Sequence, residues 1–408
     1  MKPTDHTLPP RRQGNPINMS YSDRICPAEE TLERVTPLIV AHGITRLARI
    51  TGLDRIGIPV WNAIRPNARS IAIHQGKGIR DIDAKVSATM EALERAIAED
   101  PSLPIRETSM ANLNAEGARS EALGGLIGAG RSPLQPHDVL GWVEGYDLAS
   151  DQAIWVPEDA VRLDRTHPTR FWQASDGLAS GNTEEEATFH ALLERIERDA
   201  ETLWQLEPVG KRIATAIDPR SFDDPVVSQL IDRIETAAFR LKLFDITSDL
   251  GVPAFSALLA PAEGTPLRYI DVTNGSGCHP IPVRAAIRAI TEAVQSRLTL
   301  ISGARDDVPP ECYGWPAHAD APMELAAYAG PWSDKDFVPG DLSIADMLHR
   351  LLATLARGKI GPVIKVRLNP GDNRMAVVKL LVPKLENPKG ERRSAFGARA
   401  LAKLLVFR

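Results

Sequence analysis

The pattern Glu-x-x-Glu-Arg occurs twice, about a hundred residues apart, each time inside an apolar-periodic run. The first copy is Glu91, Glu94 and Arg95. The second is Glu194, Glu197 and Arg198, followed by Asp199. Acids three apart lie close on one helical face, because a helix turns every 3.6 residues. Two such faces brought together place four carboxylates and two guanidinium groups near one point. Like charges at that density repel unless cations sit between them. Metal ions and a polyphosphate explain such an arrangement better than packing does, although a solvated, salt-bridged face remains the plain alternative for any one helix.

The 408 residues suffice for two or three packed subdomains. A net charge of -5 argues against a general nucleic-acid binder. The end is locally basic, with eleven Lys/Arg and three Asp/Glu from Lys365 to Arg408. This reads as a solvated surface or a contact for an acidic partner. Cys26, Cys278 and Cys312 form neither a disulfide framework nor a zinc pattern. The polar start lacks the apolar core of a signal peptide, and no stretch is long enough to span a membrane. A cytoplasmic location is expected.

Residues 1–22 are proline-rich, poor in apolar side chains and expected to be disordered. A main domain is expected over 23–385 and a basic tail over 386–408. Helices are predicted at Pro27 to Val35, Asp83 to Asp100, Glu184 to Glu207, Pro225 to Ala238 and Pro282 to Ile301. Strands are predicted within Gly43 to Trp61 and at Ser70 to Gln75, Val139 to Tyr146, Ala153 to Pro157, Leu241 to Ile246, Pro253 to Leu259, Ile360 to Leu368 and Ala376 to Val382. Two small-residue loops, around Asp176 to Thr183 and Gly275 to Pro280, are expected to open the second and third long helices. Helices and strands interleave without strict βαβ repetition, so an α+β fold with mixed or antiparallel sheets is predicted.

The long helices share a design. Glu186, Glu194 and Glu197 fall on one stripe of the second, with Asn182 just before it. Arg284, Arg288, Glu292 and Gln295 make a stripe on the third, and Ser87, Glu91, Glu94 and Arg95 on the first. The opposite stripes are apolar, as in Leu192, Leu193 and Ile196. Carboxylates favour hard cations, and magnesium takes one or two of them together with substrate phosphates. Arginines clamp the remaining phosphate oxygens. A nucleotide is the natural ligand. There is no Walker loop, and Gly275-Ser-Gly-Cys-His is a weak phosphate-loop signal. Cys278 reads as a small buried thiol rather than a nucleophile, and His190 and His279 are the histidines beside the acidic helices.

These residues resemble the YcaO family of ATP-dependent enzymes that modify the peptide backbone. The resemblance rests on Gly43-Ile-Thr-Arg46 to Gly57-Ile-Pro59-Val, Ser87-x-x-x-Glu91-x-x-Glu94-Arg95, Gly181-Asn182-Thr183-x-x-Glu186-Ala through Glu194-x-x-Glu197-Arg198-Asp199, and Gly275-Ser-Gly-Cys-His-Pro followed by Arg288-x-x-x-Glu292. It implies a non-P-loop site for ATP and Mg2+, formed by Ser87, Glu91, Glu94 and Arg95, then Asn182, Glu186, Glu194, Glu197 and Arg198, then Arg288 and Glu292. Metal contact is implied for Glu91, Glu94, Glu186, Glu194, Glu197 and Glu292. The family's early Lys and Ser, seven apart, correspond to Arg24 and Thr31, where both residue types differ.

The resemblance also implies a chemistry. An amide oxygen leaves poorly, and phosphorylating it with ATP turns it into phosphate. A sulfide nucleophile then gives a thioamide, and a neighbouring Cys, Ser or Thr side chain gives an azoline. Azoline-forming members usually end in a proline-rich tail. This chain has no proline after Pro388, so thioamide formation is expected, with a separate TfuA-like protein supplying sulfide and a peptide or protein as substrate. Azoline formation, a non-catalytic ATP-binding accessory role and a non-catalytic helical scaffold with salt-bridged faces are the alternatives. A homodimer is compatible with the family, and neither a nucleic-acid nor a membrane partner is expected.

Overall fold

The computed structural model describes residues 21–263, 266–333, 342–387 and 396–405. The expected disordered segment 1–22 therefore lies, up to residue 20, outside the described residues. Of the expected tail 386–408, residues 386–387 and 396–405 are described.

Three sheets form among the described residues. The first is antiparallel, in the order β1 (Arg46–Arg49), β2 (Val60–Ile64), β3 (Ile73–Lys77). The second takes β4 (Arg106–Ser109), β5 (Val139–Asp147), β6 (Gln152–Pro157) and β7 (Leu178–Gly181). From far down the chain it adds β13 (Ile364–Arg367) and β14 (Ala376–Leu381). Its order is β4-β5-β13-β14-β7, with β6 also on β5. The third comprises β8 (Ala216–Asp218), β9 (Phe239–Asp245), β10 (Ala254–Pro261), β11 (Thr273–Cys278) and β12 (Gly330–Pro331). It runs β11-β10-β9-β8-β12, antiparallel except for the parallel β8–β12 pair. This is the mixed α+β architecture that interleaved elements predict.

One edge strand of each sheet feeds a long helix. β3 leads to α2 (Asp81–Glu99), β7 to α4 (Glu184–Gln205) and β11 to α7 (Pro282–Ser302). Each helix packs on its own strand and also on the strand of the next unit: α2 on β7, α4 on β11, and α7 back on β3. The three strand–helix units therefore close a ring, in which each edge strand that feeds a long helix also meets the helix of a neighbouring unit.

Backbone proximity makes the ring tight. A Cβ at Gly76 would fall 2.0 Å from the amide nitrogen of Ala88, one at Gly181 2.6 Å from that of Ala187, and one at Gly275 2.2 Å from that of Ala293. Strand glycines meet helix alanines in all three units. The segments read from sequence as small-residue loops are thus largely strands, Leu178–Gly181 and Thr273–Cys278. Their glycines serve close strand–helix packing.

Helix ends follow local chemistry. The Thr183 hydroxyl accepts from the Glu186 amide at 3.2 Å, and three glutamates occupy the first turn of α4. Pro282 opens α7, and Gly303 at φ +58 ends it. Outside the ring, α1 (Ala28–Ala41) packs on α2 and continues six residues past Val35, through Pro37. The remaining helices are the short α3 (Met110–Ala115), α5 (Val209–Ile213) and α8 (Ala321–Ala326), then α6 (Pro225–Thr236), α9 (Ile344–Arg357) and α10 (Ala398–Leu405). α10 is anchored on α4, where Arg399 pairs with the buried Asp199 at 2.9 Å and Lys403 reaches Glu207. No described helix is long and apolar enough to cross a membrane.

Candidate active site

The three ring helices wall a cavity of about 750 Å3. α2 contributes Glu91, Glu94 and Arg95, α4 contributes Glu194 and Arg198, and α7 contributes Glu292 and Gln295. One glutamate per wall is fixed by a main-chain amide from its own unit. Glu91 accepts from the Gln75 amide at 3.3 Å, Glu194 from Gly177 at 3.1 Å, and Glu292 from Ser276 at 3.5 Å. The doubled motif is thus part of a threefold arrangement, with Glu292 in the third position. Contacts between units complete it. Lys77 on β3 donates to Glu292 at 2.5 Å, and the Ser180 hydroxyl on β7 donates to Glu94 at 2.9 Å.

The charges are strongly coupled. Enclosure pushes the Glu94 carboxyl up to about 8, and the nearby Glu91 adds to the push. Enclosure also raises Glu197 to about 7 against the pull of Arg198, with Glu292 adding repulsion. Glu194 is raised by burial in the same way. Burial would raise Glu292 too, but Lys77 and Arg198 outweigh it and hold the group below its ordinary value. Burial opposes the charge of Arg198, yet Glu197, Glu194, Glu201 and Glu292 together hold its proton more firmly than usual.

This donor set fits magnesium and phosphate. Burial is what chiefly raises these carboxyl groups, and a buried carboxylate gains most from a cation placed beside it. Arg95 and Arg198 each keep a buried Nε without a hydrogen bond, facing Glu91 at 3.4 Å and Asp176 and Glu194 at 3.9 and 4.0 Å respectively. Among the described residues no three carboxylate, histidine or cysteine groups converge on one point as a cage for a bare ion. Magnesium that keeps its waters and shares phosphate oxygens needs no such cage.

Several expected residues sit in a second cluster near the start of α4. The Arg24 guanidinium donates to Glu186 at 2.6 Å and to the Ser180 carbonyl at 3.2 Å. Asn182 donates to Glu186 at 3.2 Å and accepts from the Thr31 hydroxyl at 3.0 Å. Arg24, Thr31, Asn182 and Glu186 are therefore together, but they do not line the main cavity. Ser180 joins the two clusters, with its hydroxyl on Glu94 and its carbonyl on Arg24. Arg288 lies 3.5 Å from His190, beyond the cavity lining. Glu197 is buried within 3.8 Å of Arg198. Ser87, one turn before Glu91, is half-buried and does not line this cavity.

Sequence reading missed Lys77, Ser180 and Asp23. Asp23 pairs with Arg284 and with His279, the latter at 3.0 Å. Burial opposes its charge, but the hydrogen bond to His279 and the nearby cations outweigh that and hold its carboxyl far below the usual range. A single Lys at a strand end carries no motif. Cys278 is buried and its thiol is pushed well up by burial, first, and by Glu197, which suits a packing role.

Residues 75–386 match the family described as YcaO cyclodehydratase, ATP- and Mg2+-binding. A protein encoded in the tfuA 3′ region of Rhizobium leguminosarum bv. trifolii is 36% identical over 375 residues, covering 90% of this chain and 89% of the relative. An uncharacterised protein of Methanothermobacter thermautotrophicus is 38% identical over 286 residues, 68% of this chain and 71% of its own. The fold matches YcaO from Methanopyrus kandleri, solved with AMPPCP and Mg2+, at a TM-score of 0.69 and 23% identity over 89% of this chain and 92% of that one. It also matches a heterocyclase solved with substrate and cofactor, at 0.74 and 21% identity over 91% of this chain. The chain spans 54% of that heterocyclase.

Proposed function

The chain belongs to the YcaO family, and from that premise we propose that it uses Mg2+ and ATP to phosphorylate the oxygen of a peptide-backbone amide, so that sulfide from a TfuA-like partner can replace it. The observation that carries the reading is the cavity ringed by Glu91, Glu94, Glu194 and Glu292 and interleaved with Arg95, Arg198 and Lys77. The neighbourhood of the Rhizobium relative's gene supports the sulfur-delivery partner. A peptide as substrate follows from the family's chemistry.

In this reading Glu91, Glu94, Glu194 and Glu292 would hold magnesium, with Glu197 and Glu186 flanking. Bound magnesium would neutralise charge on the phosphates. Arg95, Arg198 and Lys77 would face the phosphate oxygens, and Arg288 would sit behind Glu197. Arg24, Thr31, Asn182 and Glu186 offer a mix of donors and acceptors at the far end. Positioning and charge neutralisation are what phosphoryl transfer asks of a protein.

The test is nucleotide turnover. Wild-type protein should bind and hydrolyse ATP only with magnesium, and Glu194→Gln or Glu197→Gln should abolish turnover while circular dichroism stays unchanged. Hydrolysis that survives both changes sinks the reading. With a peptide substrate in hand, mass spectrometry separates the products. Replacement of oxygen by sulfur marks a thioamide, and loss of one water marks an azoline. Binding of ATP without turnover on any peptide would favour an accessory role.

A further inference from the structure

Behind the wall formed by α4 and β14 lies a second cavity of about 70 Å3, separate from the acidic one. Its walls are mostly apolar and include Leu126, Trp172 and Leu385, but two buried cations, Arg195 and Lys379, also line it. Arg195 is 2% exposed and Lys379 5% exposed. Neither cation uses all its donors. The Arg195 Nη2 donates to the Glu386 carbonyl at 2.9 Å, while its Nη1 is buried and has no hydrogen-bond partner. The Lys379 ammonium donates to the carbonyls of Ala174 and Asp176 at 2.6 and 2.8 Å. An ammonium has three N–H donors, so one remains.

The Asp176 and Glu194 carboxylates favour the charge of both cations through space, but among the described residues neither makes an ion pair or hydrogen bond with Arg195 or Lys379. Asp176 faces Arg198 at 3.9 Å. The Glu386 carboxylate accepts from the amides of Gly397 and Ala400 at 2.7 and 2.9 Å. Unused donors on two buried cations are costly unless something accepts from them. An apolar-walled space with leftover N–H groups disfavours strongly hydrated divalent anions, because their dehydration is expensive. It suits a small monovalent anion.

We propose that Arg195 and Lys379 form a binding site for one small monovalent anion of the chloride or hydrosulfide kind, next to the Ala174–Gly177 segment that carries the amide bonded to Glu194. The site stands whatever the fate of the amide chemistry. A preference for hydrosulfide would tie it to sulfur transfer.

The probes are sodium chloride and sodium hydrosulfide, each titrated into the full-length protein at constant ionic strength set with sodium gluconate. Sodium sulfate is the control. Thermal midpoint and tryptophan fluorescence are followed, since Trp172 lines the cavity. The expected result is a saturable rise in midpoint with chloride or hydrosulfide and none with sulfate. Half-saturation should move at least tenfold higher in Arg195→Met. Should that variant fail to fold, Lys379→Met reads the same shift, and Trp172→Phe should lose the fluorescence change while keeping the thermal one. A wild-type protein that responds saturably to neither anion, holding only water there, overturns the site. So does equal half-saturation in the wild type and both cation variants.

Discussion

Lys77 on β3 lies 2.5 Å from Glu292 on α7, two residues 215 positions apart in the chain. The pair joins the first strand–helix unit to the third and closes the ring across the cavity. Replacing Lys77 with Met should let burial raise the Glu292 carboxyl from its depressed position. A charge-assisted bond of this kind, discounted for its partial exposure, corresponds to about tenfold in the magnesium needed for half-maximal ATP binding. Calorimetric titration of ATP at several magnesium concentrations checks it. An unchanged requirement would mean that Lys77 only staples the ring.

The raised carboxyl groups set a pH dependence. The folded, ligand-free chain keeps a proton on Glu94 up to about 8, whereas the ordinary value is 4.5. Between those values the folded state holds more protons than the unfolded state, so stability falls as pH rises through the window and levels off above it. The melting midpoint of the ligand-free protein should drop by roughly a few degrees from pH 5 to pH 8. Stabilisation by magnesium and ATP should grow over the same range, because cation binding displaces the proton. Glu94→Gln should flatten the ligand-free profile. A flat wild-type profile in scanning fluorimetry would contradict the assignment.

Arg24 tests whether the early segment belongs to the site. Arg24→Ala removes the guanidinium from the buried Glu186 and from the Ser180 carbonyl. It should weaken ATP binding by about tenfold and also lower the melting temperature, because among the described residues Glu186 keeps only Asn182 and the Ile25 amide as partners. Arg24→Lys should recover part of that loss. Equal affinities for all three proteins would place the Arg24–Glu186 pair outside the nucleotide's reach.

Gly275→Ala should be far costlier than its size suggests. The added carbon meets the Ala293 amide at 2.2 Å, and backbone cannot step aside as a flexible side chain can. A loss of about 3 kcal/mol or failure to fold is expected. Gly52→Ala, with nothing within 4 Å, is the control and should be near neutral. Urea denaturation of both decides.

Arg399→Ala separates stability from function. It leaves Asp199, which has no exposed side-chain surface, without the guanidinium on α10. Breaking a buried pair from one side costs about 3 kcal/mol. ATP affinity should stay within about twofold, because α10 docks outside the cavity lining. A variant with wild-type stability would show that water replaces the pairing.

Much of the site was legible because helices announce themselves. Periodicity gave α2, α4 and α7 to within about two residues of their ends. Spacing put Glu91, Glu94, Glu194 and Glu292 on facing stripes, and the cavity gathers them. The stripe argument was less able to separate Glu186 from Glu194. Eight residues leave them on one face but two turns apart, and only the fold decides which neighbours each meets. Arg24 and Thr31 were placed through family resemblance, since no local pattern joins residue 24 to residue 186. The glycine-rich strands were misread because glycine has low strand propensity, and here it is tolerated only for a tertiary close approach. The helix α9 carries a local sequence signal in the capping box of Ser343 with Asp346.

The ring has a consequence for how such a chain can change. Glu91, Glu194 and Glu292 take their bearings from main-chain amides of their own units. The stretch 106–157 of the connection between the first two units, by contrast, lines no part of the acidic cavity. Insertions and rewritten surfaces there would leave the three carboxylate anchors in register. Diversification of the substrate and conservation of the nucleotide chemistry can thus proceed on separate parts of one polypeptide.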